Sequence, residues 1–100
     1  MESVYIGTEV NYRVGIIAAG FSMADNDFTV EIVRGMKHLL FNKSDLATDA
    51  SGNYYVCFDT AQLGTGVASA IITAYVPDEF FPDGYRTEVQ KFDLLTILAV

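Results

Sequence analysis

Apolar and polar residues alternate with a period of two along "EVNYRVGII", placing Val10, Tyr12, Val14 and Ile16 on one side and Glu9, Asn11 and Arg13 on the other. Successive side chains of an extended chain point to opposite faces, so this pattern fits a strand buried on one face. "DFTVEIV" repeats it, with Phe28, Val30 and Ile32 inward and Thr29 and Glu31 outward, after a turn built from "ADND". "KHLLF", entered through Gly35 and left through "NKSD", is a third and shorter strand candidate. A helix is its alternative, but a run this short between turn signals is below the length of a stable helix.

The same pattern continues through the second half. "DASGN", Asp49 to Asn53, is a hairpin-type turn leading into a strand from Tyr54 to Asp59, with "SDLAT" as its partner arm. "TAQLGTG" is a loop with room for one helical turn before its glycines. In "VASAIITAYV" the small residues Ala68, Ala70 and Ala74 share one flat face, suited to close sheet packing or to an interface. "RTEVQKFDLLTILAV" gives one long strand, or two separated near Phe92 and Asp93, and its apolar end predicts anchorage in a sheet or a neighbouring subunit. No segment makes a convincing amphipathic helix. About seven short strands with regular turn signals predict an all-β fold, an antiparallel immunoglobulin-like β-sandwich forming a single domain over residues 1–100, with a small barrel as the alternative.

Composition narrows the partners. Hydrophobic residues make up 51% of the chain and charged residues 19%, too apolar for disorder, and the surplus points to burial against another protein. Thirteen acidic and six basic residues leave a net charge of −7. That charge repels phosphate backbones and anionic headgroups, so no nucleic acid and no membrane is expected as a partner. No run approaches the ~20 apolar residues of a membrane-spanning helix, and "MESVYIGTEV" lacks the basic and apolar regions of a secretion signal.

Candidate chemistry is sparse. The single cysteine, Cys57, excludes an internal disulfide, and its place in the apolar "YYVCFD" predicts a small buried hydrophobe. The only histidine, His38, would have to serve any serine or cysteine nucleophile as base, and one His with one Cys does not make an ordinary zinc site. "LGTGVASA" lacks the lysine and following helix of a phosphate loop and reads as a turn between strands. "DASGN" has the flavour of a calcium loop without its ligand series, and Asp49, Asp78, Glu79 and Asp83 read as solvated turn acids. The chain is therefore expected to carry no catalytic group, no cofactor and no metal.

One stretch, "AYVPDEFFPDGYR", holds both prolines of the chain. Pro77 ends the long strand by removing a ladder donor, and Pro82, Asp83 and Gly84 form a turn that reverses the chain before Tyr85. One of Phe80 and Phe81 is expected to plug the open end of the sandwich and the other to face a partner as an anchor. The expected interface comprises Tyr75, Phe80, Phe81 and Tyr85 at this corner, with Leu94, Leu95, Ile97 and Leu98 from the last strand.

The order of "GTEVNYRVGII", the strand-and-"LGxG" loop (Leu63, Gly64, Gly66) and the corner carried by Tyr75, Val76, Asp78, Phe81, Asp83 and Gly84 resembles a domain of structural proteins of tailed bacteriophages that infect Bacteroides-type bacteria, crAss-like phages included. The resemblance covers roughly residues 7 to 90; "AAGFSMADND" stands where the family's first turn has another sequence. It implies a non-enzymatic virion component, assembled in the host cytoplasm, that decorates the capsid, attaches head fibres or links tail or baseplate parts. Its partners would be other virion proteins, with self-association as a homo-oligomer, a dimer by base rate. A carbohydrate- or cell-surface-binding module is the alternative.

Overall fold

The computed structural model describes residues 1–100. Eight strands form: β1 (Glu2–Tyr5), β2 (Glu9–Val14), β3 (Phe28–Arg34), β4 (Lys37–Asn42), β5 (Ala47–Thr48), β6 (Tyr54–Asp59), β7 (Gly66–Pro77) and β8 (Tyr85–Leu98). Short 3-10 turns at Lys43–Asp45 and Thr60–Gln62 are the only helical pieces. β1, β8, β7, β3 and β4 make a five-stranded sheet in that order, and β2, β6 and β5 make a three-stranded sheet.

The fold is all-β, as the alternation requires, but the larger sheet is mixed. β1 runs parallel to β8, with Glu2 opposite Leu95 and Tyr5 opposite Leu98, so the wholly antiparallel expectation is corrected. The first and last strands of the chain are neighbours, and Ile6 N–H extends the pairing to the Leu98 carbonyl at 2.8 Å. "ESVY" escaped the sequence analysis because only Val4 and Ile6 turn partly inward, too short an alternation to register as a strand.

Both sheets contribute to one core cluster, which includes Phe28, Val30 and Ile32 of β3, Val56 and Phe58 of β6, and Leu95 and Ile97 of β8. The small face of β7 is part of that core. Ala68, Ala70, Ile72, Ala74 and Val76 are all buried, so of the two uses expected for this row, sheet packing is the one realised. β6 settles Cys57 differently from expectation. Val56 and Phe58 take the inward row, and Cys57 between them is exposed on the opposite face.

β8 is one strand, not two, with an irregularity where the sequence suggested a break. Ala68 faces Leu95 while the next residue, Ser69, faces Asp93, so Leu94 is an extra, bulged residue. A bulge shifts the side-chain parity by one. Beyond it Leu95 and Ile97 point into the core, 0% and 1% exposed, and offer no side chain to a partner, which removes both from the expected interface.

Polar links tie the layers. Tyr12 of β2 donates its hydroxyl hydrogen to Glu2 of β1; burial, together with that carboxylate, holds the phenol well above its usual pKa. Buried Thr60 accepts from Gly7 N–H (3.0 Å) and donates to the Thr8 carbonyl (2.9 Å). The "LGTG" loop is built around Arg34, whose Nε donates to the Leu63 carbonyl at 2.8 Å. A Cβ on Gly64 would lie 2.9 Å from the guanidinium, at a backbone φ of +84° that disfavours any other residue.

Phe28, fully buried, stacks edge-on against Tyr54 (centroids 5.4 Å apart) and Phe21 (6.3 Å), and the Lys43 ammonium lies 5.8 Å from the Phe28 ring centre. Removing a ring at such a centre leaves a cavity that its neighbours only partly fill. Phe28→Ala is expected to cost about 3–5 kcal/mol of stability, read as a lowered urea midpoint at unchanged slope.

Candidate protein-binding surface

The β7–β8 hairpin supplies the most prominent exposed surface. The molecule measures 50 × 31 × 21 Å, and a strand the length of β7 spans about 40 Å at ~3.3 Å per residue, so the hairpin accounts for most of the long axis. Its corner is held by the chain itself. Asp78 N–H donates to the Gly84 carbonyl (2.8 Å), Gly84 N–H to the Phe81 carbonyl (2.9 Å) and Phe81 N–H to the Asp78 carbonyl (3.3 Å). Pro77 ends β7, and Gly84 takes a φ of +85° that permits the reversal.

Asp78 is the hub of this loop. Its Oδ1 accepts from Phe80 N–H at 3.0 Å, and its Oδ2 meets Arg86 Nη1 at 3.2 Å; Arg86 Nη2 lies 3.5 Å from Glu88 Oε1. Asp83 Oδ1 accepts from Tyr85 N–H at 3.2 Å. These acids work within the turn, as solvated turn acids do.

A loop fixed in this way carries its aromatic rings outward. Phe80 is 88% exposed and Phe81 48%, so neither plugs the end of the fold, against expectation. The physical reason is reach: the corner lies beyond Val76, the last fully buried residue of β7, where no core remains for a ring to fill. Tyr85 and Val89 continue the exposed apolar surface along the outer face of β8, and Phe92 is half-exposed on its other face. Of the sequence-derived interface set, the structure brings Phe80, Phe81 and Tyr85 together at the corner. It leaves Tyr75 half-buried beside them and places Leu94 at the bulge and Leu98 at the far end of the hairpin, away from the corner. Val89 and Phe92 were missed; the alternation of "TEVQKF" marked them only as strand residues.

Beside the corner a cleft of about 440 Å³ is lined by Asp25, Asn26, Asp27, Tyr75, Asp83 and Tyr85. It joins two of the expected aromatic residues to three carboxylates from two loops, Asp25 and Asp27 before β3 and Asp83 before β8, a surface that is aromatic and negative at once.

Groups weighed for chemistry stand apart. His38 lies on the outer face of β4, half-exposed and 3.6 Å from Glu31. Cys57 lies on the outer face of the other sheet, so the two cannot act as a nucleophile–base pair. The Asp49 carboxylate is saturated by its own turn: Oδ1 accepts from Ser51 N–H and Asn53 N–H, both at 2.9 Å, and Oδ2 from the Asn53 amide (3.1 Å) and the Tyr55 hydroxyl (3.0 Å). These donors, the Asn53 backbone foremost, lower its pKa to about 2, and the hydrogen bond to Asp49 raises that of Tyr55.

Two outcomes follow from this geometry. Phe80→Ala should leave the urea midpoint nearly unchanged, within about 0.5 kcal/mol, because an exposed ring contributes little to folding. A carboxyl NMR titration should find Asp49 with its midpoint near 2. Because the folded value is depressed, the stability this turn gains is present above the unfolded value of 3.8 and is lost as pH falls through about 2.

Compared with protein-family models, with curated proteins and with solved structures, the chain matches none.

Proposed function

We propose that the protein is a structural module of a phage virion, an immunoglobulin-like arrangement of two sheets that acts at the capsid surface or on head fibres through protein–protein contacts and carries out no reaction. One observation carries this reading: a corner locked by its own hydrogen bonds holds Phe80 88% exposed and Phe81 48% exposed. A folded chain gains nothing by keeping a ring in water, and a preordered aromatic anchor binds with little further loss of conformational freedom. The acidic surface and the exposed apolar residues of β8 agree with a partner that is protein and not nucleic acid. A place in the baseplate or tail would use the same corner against a different neighbour.

A second reading is favoured by the cleft that pairs Tyr75 and Tyr85 with Asp25, Asp27 and Asp83. Tyrosine faces stack on sugar rings and carboxylates accept from sugar hydroxyls, so the cleft suits a carbohydrate or cell-surface ligand.

Co-sedimentation separates the two. Purified protein is incubated with heads and with tails isolated from particles of a Bacteroides-infecting tailed phage. It is expected to pellet with one of these fractions, and the Phe80→Ala, Phe81→Ala double variant is expected to stay in the supernatant while remaining folded. Failure to pellet with either fraction, together with binding to a glycan array that is lost in Tyr75→Ala, would overturn the virion reading.

A further inference from the structure

β8 has one partner along most of its length. β7 covers its inner edge from Tyr85 to Ile97, whereas β1 covers the other edge only from Leu95 to Leu98. From Tyr85 to Asp93 the outer edge of the sheet is therefore open.

The direction of the open peptide groups can be fixed. Tyr75 N–H donates to the Asp27 carbonyl on the β3 side of β7, at 3.1 Å. Peptide groups of successive strand residues point to alternate edges, so Ala74, Ile72 and Ala70 turn theirs toward β8, where they meet Glu88, Gln90 and Phe92. Thr87, Val89, Lys91 and Asp93 consequently direct N–H and C=O away from β7. No other backbone or side-chain group of the chain bonds to them. Tyr85 shares this outward direction, its N–H taken by Asp83.

We propose that this edge is the docking site for a second copy of the same chain, joined as an antiparallel β8–β8 pair with the two-fold axis at Val89. The occupant follows from self-complementarity. Val89 is the midpoint of the open stretch, so only a register centred there lets the whole stretch pair with itself without meeting β1. That register sets Thr87 against Lys91 and Tyr85 against Asp93 on one face, with Val89 against its own copy. On the other face it sets Arg86 against Phe92, a cation over a ring, and Glu88 against Gln90. No like charges face each other directly.

Adjacent registers are worse for stated reasons. Centring on Glu88 opposes two glutamates, and centring on Lys91 opposes two lysines. Centring on Gln90 brings the bulged Leu94 into the ladder. The chain carries −7 overall, but the charges of this stretch, Arg86 and Lys91 against Glu88 and Asp93, cancel. It is an edge on which two acidic molecules can meet. Pairing would merge the two five-stranded sheets into one continuous sheet, with Tyr85 of each corner at the end of the new ladder and Phe80 and Phe81 beyond it. The inference stands apart from the virion reading, since it concerns the chain alone.

Sedimentation equilibrium of the purified full chain tests it without any particle. The wild type is expected at about twice its 11.0 kDa. Val89→Lys and Val89→Glu, each placing like charges on the axis of a strand that keeps its fold, are each expected to be monomers. Their equimolar mixture is expected to restore the doubled mass. A wild type that stays monomeric as its concentration rises overturns the proposal, including one that pairs only with a strand from another protein. A dimer that survives unchanged in Val89→Lys overturns it as well.

Discussion

β7 is hydrogen-bonded along both edges and buried along its whole inner row, and the other elements take their places from it. β3 and β8 are in register with it on either side, β4 is attached through β3 and β1 through β8. Its inward residues are mostly alanine, so bulk in the core comes from the facing elements: Phe28 of β3, Phe58 of β6, and Leu63 from the loop before β7. Small residues on the central strand with large ones around it is a packing in which a methyl group on β7 is felt more than one at the periphery. The smaller sheet packs on this frame through the shared core, with polar contacts from Tyr12 to Glu2 and from Thr60 to the Gly7–Thr8 turn, the second joining segments far apart in sequence.

Where a strand alternates cleanly, the sequence was enough. β2 and β3 appear with the inward rows that period two assigns them, β7 appears as the long strand its alternation marked, and the turns at Asp49–Asn53 and Pro82–Gly84 fall where Pro, Asp and Gly chemistry puts them. Where both rows are apolar, alternation says that a strand exists but not which row is inside. "YYVCFD" is such a case, and Cys57 is exposed because Val56 and Phe58 claim the interior. "LLTIL" is another: one bulged residue decides that Leu95 and Ile97 are fully inside, while Leu94 packs only partly against the core and Leu98 is exposed. The parallel β1–β8 pair joins the two ends of the chain, and no local pattern in either segment announces a partner so far away. The corner was legible as rigid and aromatic; that its rings face outward depends on how far the core extends, a property of the whole fold.

The two sheets differ in width, and that difference explains the character of β8. Before the bulge its core-side row is Arg86, Glu88, Gln90 and Phe92, polar except for the last, on the side where β7 opposite them is buried. Three strands cannot cover five, so this part of the row lies at or near solvent and accommodates charge, with Arg86 satisfied by Asp78 and Glu88. An apolar gap of about 160 Å³ between the sheets, with Phe92 in its lining, lies where the row changes from polar to buried. The hairpin thus has one end embedded in the core and another end that extends past it as an arm.

Charged residues on a strand edge ordinarily keep other strands away, and Arg86, Glu88, Lys91 and Asp93 could be taken in that sense. Three features weigh against it. The charges are balanced in sign, whereas a repelling edge works best with one sign. Arg86 and Glu88 are engaged with each other and with Asp78, so they are not free to clash with an arriving strand. At the centre of the stretch Val89 is 62% exposed on a β-branched side chain suited to a paired strand, and neither proline of the chain falls within it. The repulsion that does oppose self-pairing is the long-range term from the −7 net charge. Salt screens that term over roughly 8–10 Å, while the short contacts of a backbone ladder are little affected. On this edge, ionic strength therefore favours association, the reverse of its effect on a complex held together by opposite charges.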